Sequence, residues 1–360
     1  VESRHNRLRR ESGGCVMLAQ KIIGATASGK KQFVALAHDV SPFVAAYDWS
    51  ASGFGAKFSN PAITPYGDGF GVAFSPSGDT IALANGYGNY NVTAYPWSES
   101  GFGAKFSDPA IMPAGAYGAG IAFSPSGDAI AVASISSPFV TAYPWSASGF
   151  GAKFANPASL PPSQCLGVAF SPSGDSIAVG HNYPGVSVYR WSASGFGTKF
   201  ADPATLPSSN GTSVSFSPSG DAIALATTSA PYVEAYLWSG SGFGTKFASP
   251  ATLAGGKANR VVFSPSGDAI ALAHNALPYV SAYPWSASGF GAKFANPATL
   301  TSNFCYSAAF SPSGDAIALA HYASPFVSAY SWSASGFGAK FNNPATLPAS
   351  HARGVAFTEI

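Results

Sequence analysis

Apolar and polar residues alternate along this chain in short bursts punctuated by Gly and Pro, and no segment shows the 3.6-residue period of an amphipathic helix. One burst recurs almost intact. It reads VAFSPSGDTIALAN at 72–85 and IAFSPSGDAIAVAS at 121–134, with further copies at 168–181, 214–227, 261–274 and 308–321. Each copy predicts the same elements in the same order. An apolar strand (71–74 in one copy) enters the turn Ser-Pro-Ser-Gly-Asp, and Ala-Ile-Ala-Leu-Ala follows as a second strand. After a short variable loop come Phe-Val-Ser-Ala-Tyr-Pro-Trp, the turn Ser-Ala-Ser-Gly-Phe-Gly, and a fourth strand ending Ala-Lys-Phe. Asn-Pro-Ala-Thr-Leu-Pro and a second variable loop complete the unit, whose strands are lettered A to D below.

Tryptophan counts the units. Trp49, Trp97, Trp145, Trp191, Trp238, Trp285 and Trp332 are 46 to 48 residues apart. Seven four-stranded units of this length predict an all-β fold, a seven-bladed β-propeller spanning residues 28–360. A lone four-stranded sheet this short buries neither face, whereas seven stacked around an axis bury both and leave only short outer edges.

The phrase VAFSPSGD…IALA…VSAYPW resembles the WD40 and YVTN-type propeller repeat. The likeness lies in the Ser-Pro-x-Gly turn and in strand C. Only Tyr47-Asp48-Trp49 keeps the aromatic-Asp ending, the other copies having Pro96, Pro144, Arg190, Leu237, Pro284 and Ser331 where that Asp stands, and the Gly-His pair before strand A is absent. The resemblance implies that the A–B and C–D turns share one face of the disc and the B–C and D–A loops the other.

The ends of the chain predict how the ring closes. Gly354-Val355-Ala356-Phe357 begins an eighth strand A with no B, C or D after it, while the first unit lacks a good strand A. The C-terminal strand is therefore expected to complete blade 1, a Velcro closure. Residues 1–27 are expected to form a basic tail, disordered or displaced; Met17 as the true start, with 1–16 upstream of it, is the alternative.

Composition narrows the function classes. Residues 1–31 carry seven Lys/Arg against Glu2 and Glu11, so the remaining 11 basic and 14 acidic side chains leave the body at −3. That charge offers no broad basic field for nucleic acid. No run of 18 apolar residues predicts a membrane span, and no signal peptide is visible, so a cytoplasmic or virion-associated monomer is expected. Cys15, Cys165 and Cys305 make no disulfide framework.

The units also compare themselves. The A–B and C–D turns hardly change, as expected of backbone-determined scaffold, with Asp79 and its equivalents capping turns and Lys57 and its equivalents at the rim. The B–C and D–A loops change from blade to blade and are rich in Tyr, Ser, Gly and Asn, the adaptable mixture of a binding surface. His38, His181, His274 and His321 share one position at the end of strand B, and His351 lies in the loop entering blade 1. Asp39 and Asp68 are the only carboxylates of the variable loops. With Tyr87, Tyr90, Tyr117, Tyr183, Tyr306, Tyr322, Lys257, Arg260 and Arg353 they define the expected ligand-binding face, the two arginines being placed in D–A loops. No catalytic residue, metal or cofactor is assigned. The first reading is a non-catalytic scaffold binding a protein or peptide; the second is a glycan-binding or virion-surface module. A lactonase-like or hydrolytic enzyme is the third.

Overall fold

The computed structural model describes residues 30–86, 91–113, 115 and 118–360. Lys31–Ile360 form one unit of seven four-stranded antiparallel sheets. The predicted tail, 1–27, lies outside the described residues, and among those described no helix is long and apolar enough to cross a membrane.

Blade 1 carries the predicted closure. Its sheet runs from Ala352–Glu359 to Gln32–His38, Val44–Ser50 and Gly53–Lys57, so the last strand of the chain is its innermost. Ala35 faces Ala356 and Val34 faces Phe357 across this seam.

Burial follows radius. Strand B is almost wholly inaccessible in every blade, strand C is buried except near its end, and strand D is half exposed. The reason is stacking, since middle strands meet a neighbouring blade on both sides. Each strand-C tryptophan joins one blade to the next. Trp49 packs edge-on against Phe54 of its own strand D, Phe357 of its own strand A and Phe341 of blade 7, at centroid separations of 5.1, 5.0 and 5.2 Å. The Phe of each Ala-Lys-Phe (or Thr-Lys-Phe) segment thus serves the following blade, which is why all seven copies keep it. Where Phe341 packs, Gly53 sits at φ 94° and a Cβ there would fall 2.9 Å from the ring.

The Ser-Pro-Ser-Gly-Asp turn is a closed hydrogen-bonded unit. In blade 3, Ser124 Oγ and Ser126 Oγ donate to Asp128 Oδ1, and Ala129 N donates to Ser124 Oγ. Those two hydroxyls hold the Asp128 carboxyl below the ordinary carboxylate range. The capping role expected for these aspartates is what the turn shows.

Candidate functional site

The two variable loops of a blade are tied together on one face. Tyr322 N donates to Phe304 O, Asn275 N to Lys257 O, Thr228 N to Asn210 O and Asp39 N to Ser350 Oγ, each bond joining a B–C loop to the D–A loop of its own blade. The opposite face gathers the two invariant turns, as Ser75–Thr80 of blade 2 and Trp145–Ala147 of blade 3 line one cleft. The B–C loops vary less than their sequences suggest. Among the described residues, five have a cis X–Pro bond followed by Phe43, Phe139, Tyr232, Tyr279 or Phe326 at φ 65–70°.

The central channel opens onto this face, and strand A of every blade lines it. Counting back from the strand-A phenylalanine, the third position is Gly354, Gly71, Gly120, Gly167, Ser213, Arg260 and Ser307 around the ring. Neighbouring backbones crowd this register: a Cβ on Gly167 would fall 2.9 Å from Ser213 Cα, and one on Gly120 would fall 3.0 Å from Leu166 O. Small residues there leave a cavity of ≈ 80 Å³, lined by all seven blades, with Arg260, Asn259, Tyr306, Phe70 and Arg353 among its walls.

At the mouth, above blades 7, 1 and 2, titratable groups converge. Asp39 accepts two hydrogen bonds from Arg353, Nε to Oδ1 at 2.5 Å and Nη2 to Oδ2 at 2.7 Å. His351 Nε2 meets the same carboxylate at Oδ2. The Arg353 guanidinium lies over the rings of Phe70 at 4.6 Å and Tyr306 at 5.2 Å. Burial opposes its charge, but the Asp39 hydrogen bonds outweigh that and hold Arg353 above its ordinary value. Asp68 is pushed up, first by burial and then by the negative charge of Asp39. The His351 ring packs on Tyr322 at 4.9 Å, and Tyr322 stacks on Phe304 at 5.1 Å. Asp39, Asp68, Tyr306, Tyr322, His351 and Arg353 are therefore one cluster.

Other expected residues lie elsewhere. His38, His181, His274 and His321 have no solvent exposure and do not belong to the ligand-binding face. Three pin strand B to strand C: His181 to Ser187 at 2.9 Å, His274 to Ser281 at 3.0 Å and His321 to Ser328 at 3.0 Å, through Nε2. Where strand C offers Ala45 instead, His38 lacks such a partner. Arg260 and Arg353 stand in strands A (Ala258–Phe263 and Ala352–Glu359), not in D–A loops. That places them on the channel. Lys257 and Tyr183 are exposed on the loop face, outside the cavity lining, and Tyr87, Tyr90 and Tyr117 lie outside the described residues. Among the described residues no three His, Cys, Asp or Glu side chains gather as a metal site, because His38 is turned into the blade.

Phe70 and Asn259 were not expected. The signal for them was available: four residues before the strand-A phenylalanine, the seven blades carry Arg353, Phe70, Ala119, Leu166, Thr212, Asn259 and Tyr306, all different, beside a register held small. Divergence begins inside strand A, before the loops.

No family model matches this sequence, and no curated protein matches it. Solved structures do. A candidate 6-phosphogluconolactonase from Bacteroides uniformis superposes with TM-score 0.74 at 14% identity, covering 91% of this chain and 99% of that one. One from Bacteroides fragilis gives 0.74 at 13%, covering 92% and 99%. The periplasmic gluconolactonase of Pseudomonas aeruginosa gives 0.68 at 16%, covering 91% and 99%. What is shared is the fold. These neighbours are lactonase propellers and not WD40 proteins specifically, so the resemblance narrows to the seven-bladed architecture. Their lactonase names stand against the expectation of a non-catalytic scaffold.

Proposed function

We propose that the channel mouth is the active site of a lactonase-like hydrolase acting on a sugar-acid lactone. The observation that carries this reading is the His351–Asp39–Arg353 chain beside Asp68, gathered at the mouth of an open cavity. Asp39 fixes His351 through Nε2, which leaves Nδ1 as the proton acceptor. Water attacks the lactone carbonyl carbon as its proton passes to Nδ1, and the carbonyl becomes a tetrahedral oxyanion. The Arg353 guanidinium, already desolvated on one side by Phe70, supplies positive charge next to it. The ring C–O bond then breaks, and the departing ring oxygen takes the proton back from His351. The product is the open hydroxy acid. The names of the structural neighbours supply the substrate class: gluconolactone, with or without a phosphoryl group.

A pH-stat assay tests it. Proton release from glucono-δ-lactone and its 6-phosphate is expected to exceed the spontaneous rate with the wild-type protein and to return to it with Asp39→Asn. Release no faster than buffer for any sugar-acid lactone would remove the reading.

A further inference from the structure

We propose that the central channel holds a small oxyanion (phosphate, sulfate or a carboxylate) on Arg260. Six blades place Gly or Ser at the register where blade 6 places this arginine, so one long cationic side chain enters a space the others keep open. Arg353, the other guanidinium on the cavity wall, is hydrogen-bonded to the Asp39 carboxylate. Arg260 is not: among the described residues it has no carboxylate, hydrogen-bond acceptor or ring partner, and its Nε is shielded from solvent.

Arg260 is half-buried, with its Nε fully shielded, and a cation partly withdrawn from water without a counter-charge gains from being paired. Burial alone depresses its ionisation, with no nearby negative group acting the other way. The ligand that removes the deficit is an anion. Guanidinium favours oxyanions with two acceptor atoms in one plane, which a phosphate or carboxylate presents and chloride does not. The surroundings suit one. Asn259, Ser307 and Tyr306 bring polar groups to the same cavity, and its ≈ 80 Å³ admits a small oxyanion with water. The body's net charge of −3 makes a general attraction for anions a poor explanation, so specificity would come from this one side chain.

The anion has two possible sources, a free ion or an acidic group on a substrate bound at the mouth. The site stands whether or not the protein hydrolyses lactones, because binding of the ion alone reports it. Thermal melts in inorganic phosphate against chloride at constant ionic strength are expected to show a phosphate-specific rise in Tm for the wild-type chain. Arg260→Ser, which copies Ser213 and Ser307, is expected to abolish that rise and to weaken phosphate binding by calorimetry about 10-fold or more. The same variant is expected to melt no lower than wild type in phosphate-free buffer, since it deletes an unpaired cation. An acidic substrate group as the source predicts that Arg260→Ser raises KM for a phosphorylated lactone and leaves the unphosphorylated one unchanged. A free ion predicts equal KM values for the two. Absence of a phosphate effect on wild type, or an undiminished effect in Arg260→Ser and Arg260→Gln, overturns the proposal.

Discussion

Arg353 and Asp39 grip each other through two parallel hydrogen bonds across 314 residues of chain, one on the strand that closes the ring and one on the first B–C loop. Closure of the propeller and assembly of the channel mouth are thus one event. Asp39→Asn keeps the shape but removes the charge that holds both Arg353 and His351. Loss of this charge-assisted pair is expected to cost about 1–3 kcal/mol of stability, read from denaturant unfolding. The rate on any lactone that the wild type hydrolyses is expected to fall about 10²-fold or more. Retained activity would show that Asp39 does not orient His351.

Removing residues 353–360 takes strand A from blade 1 along with Val355 and Phe357. Burial of Val355 and partial burial of Phe357 are worth roughly 2–4 kcal/mol, so the melting temperature is expected to drop by about 5 °C or more, if the chain folds at all. An unchanged melt would mean that blade 1 is closed by another segment.

The buried histidines set a pH dependence. Burial pushes His38, His274 and His321 down to about 4. Unfolded, they titrate near their ordinary value of about 6.5. Between those values the unfolded chain binds more protons than the folded one, so stability is full above about pH 6.5 and declines as pH falls toward 4. Replacing His274 and His321 by Thr, the residue blade 5 uses as Thr227, is expected to flatten that decline. Urea titrations at pH 7 and pH 5 read it directly. An unaltered slope would place the protonation elsewhere.

Blade 5 holds a second compensated charge. In six blades the strand-D lysine bonds an Asn or Asp three residues on, as Lys57 does Asn60 at 2.7 Å and Lys199 does Asp202 at 2.6 Å. Blade 5 has Ser249 there, and Lys246 turns instead to the buried Glu234, which also accepts from Ser208 N at 2.8 Å. Glu234→Ser is expected to destabilise by about 1–3 kcal/mol, and adding Ser249→Asn should recover part of it by giving Lys246 its usual partner. Strictly additive effects would show that the two sites are uncoupled.

Where repeats repeat, the sequence could be read closely. The tryptophan spacing counted the blades, Phe357 announced the closing strand, and Asp128 behaved as a turn cap because each blade poses the same backbone problem. The site was legible only in part. Asp39 and Asp68 stood out as lone carboxylates in the variable loops, and they are neighbours at the mouth. His181, His274 and His321 misled because a polar residue at a strand end looks exposed, and the matching Ser187, Ser281 and Ser328 on strand C were the clue that it is pinned inside. The sequence pattern puts Arg260 and Arg353 in loops because strand A starts three residues before its apolar core, and that small difference moves both residues onto the channel.

The central claim rests on His351 and not on histidine in general. The most direct test is the steady-state hydrolysis of gluconolactone and its 6-phosphate by wild type, His351→Ala and His321→Thr under one set of conditions. Wild type is expected to show measurable kcat/KM on at least one of the two, His351→Ala to lose about 10²–10⁴-fold and His321→Thr to keep near wild-type activity. Equal activity in all three proteins, or none above the spontaneous rate in any, would contradict it.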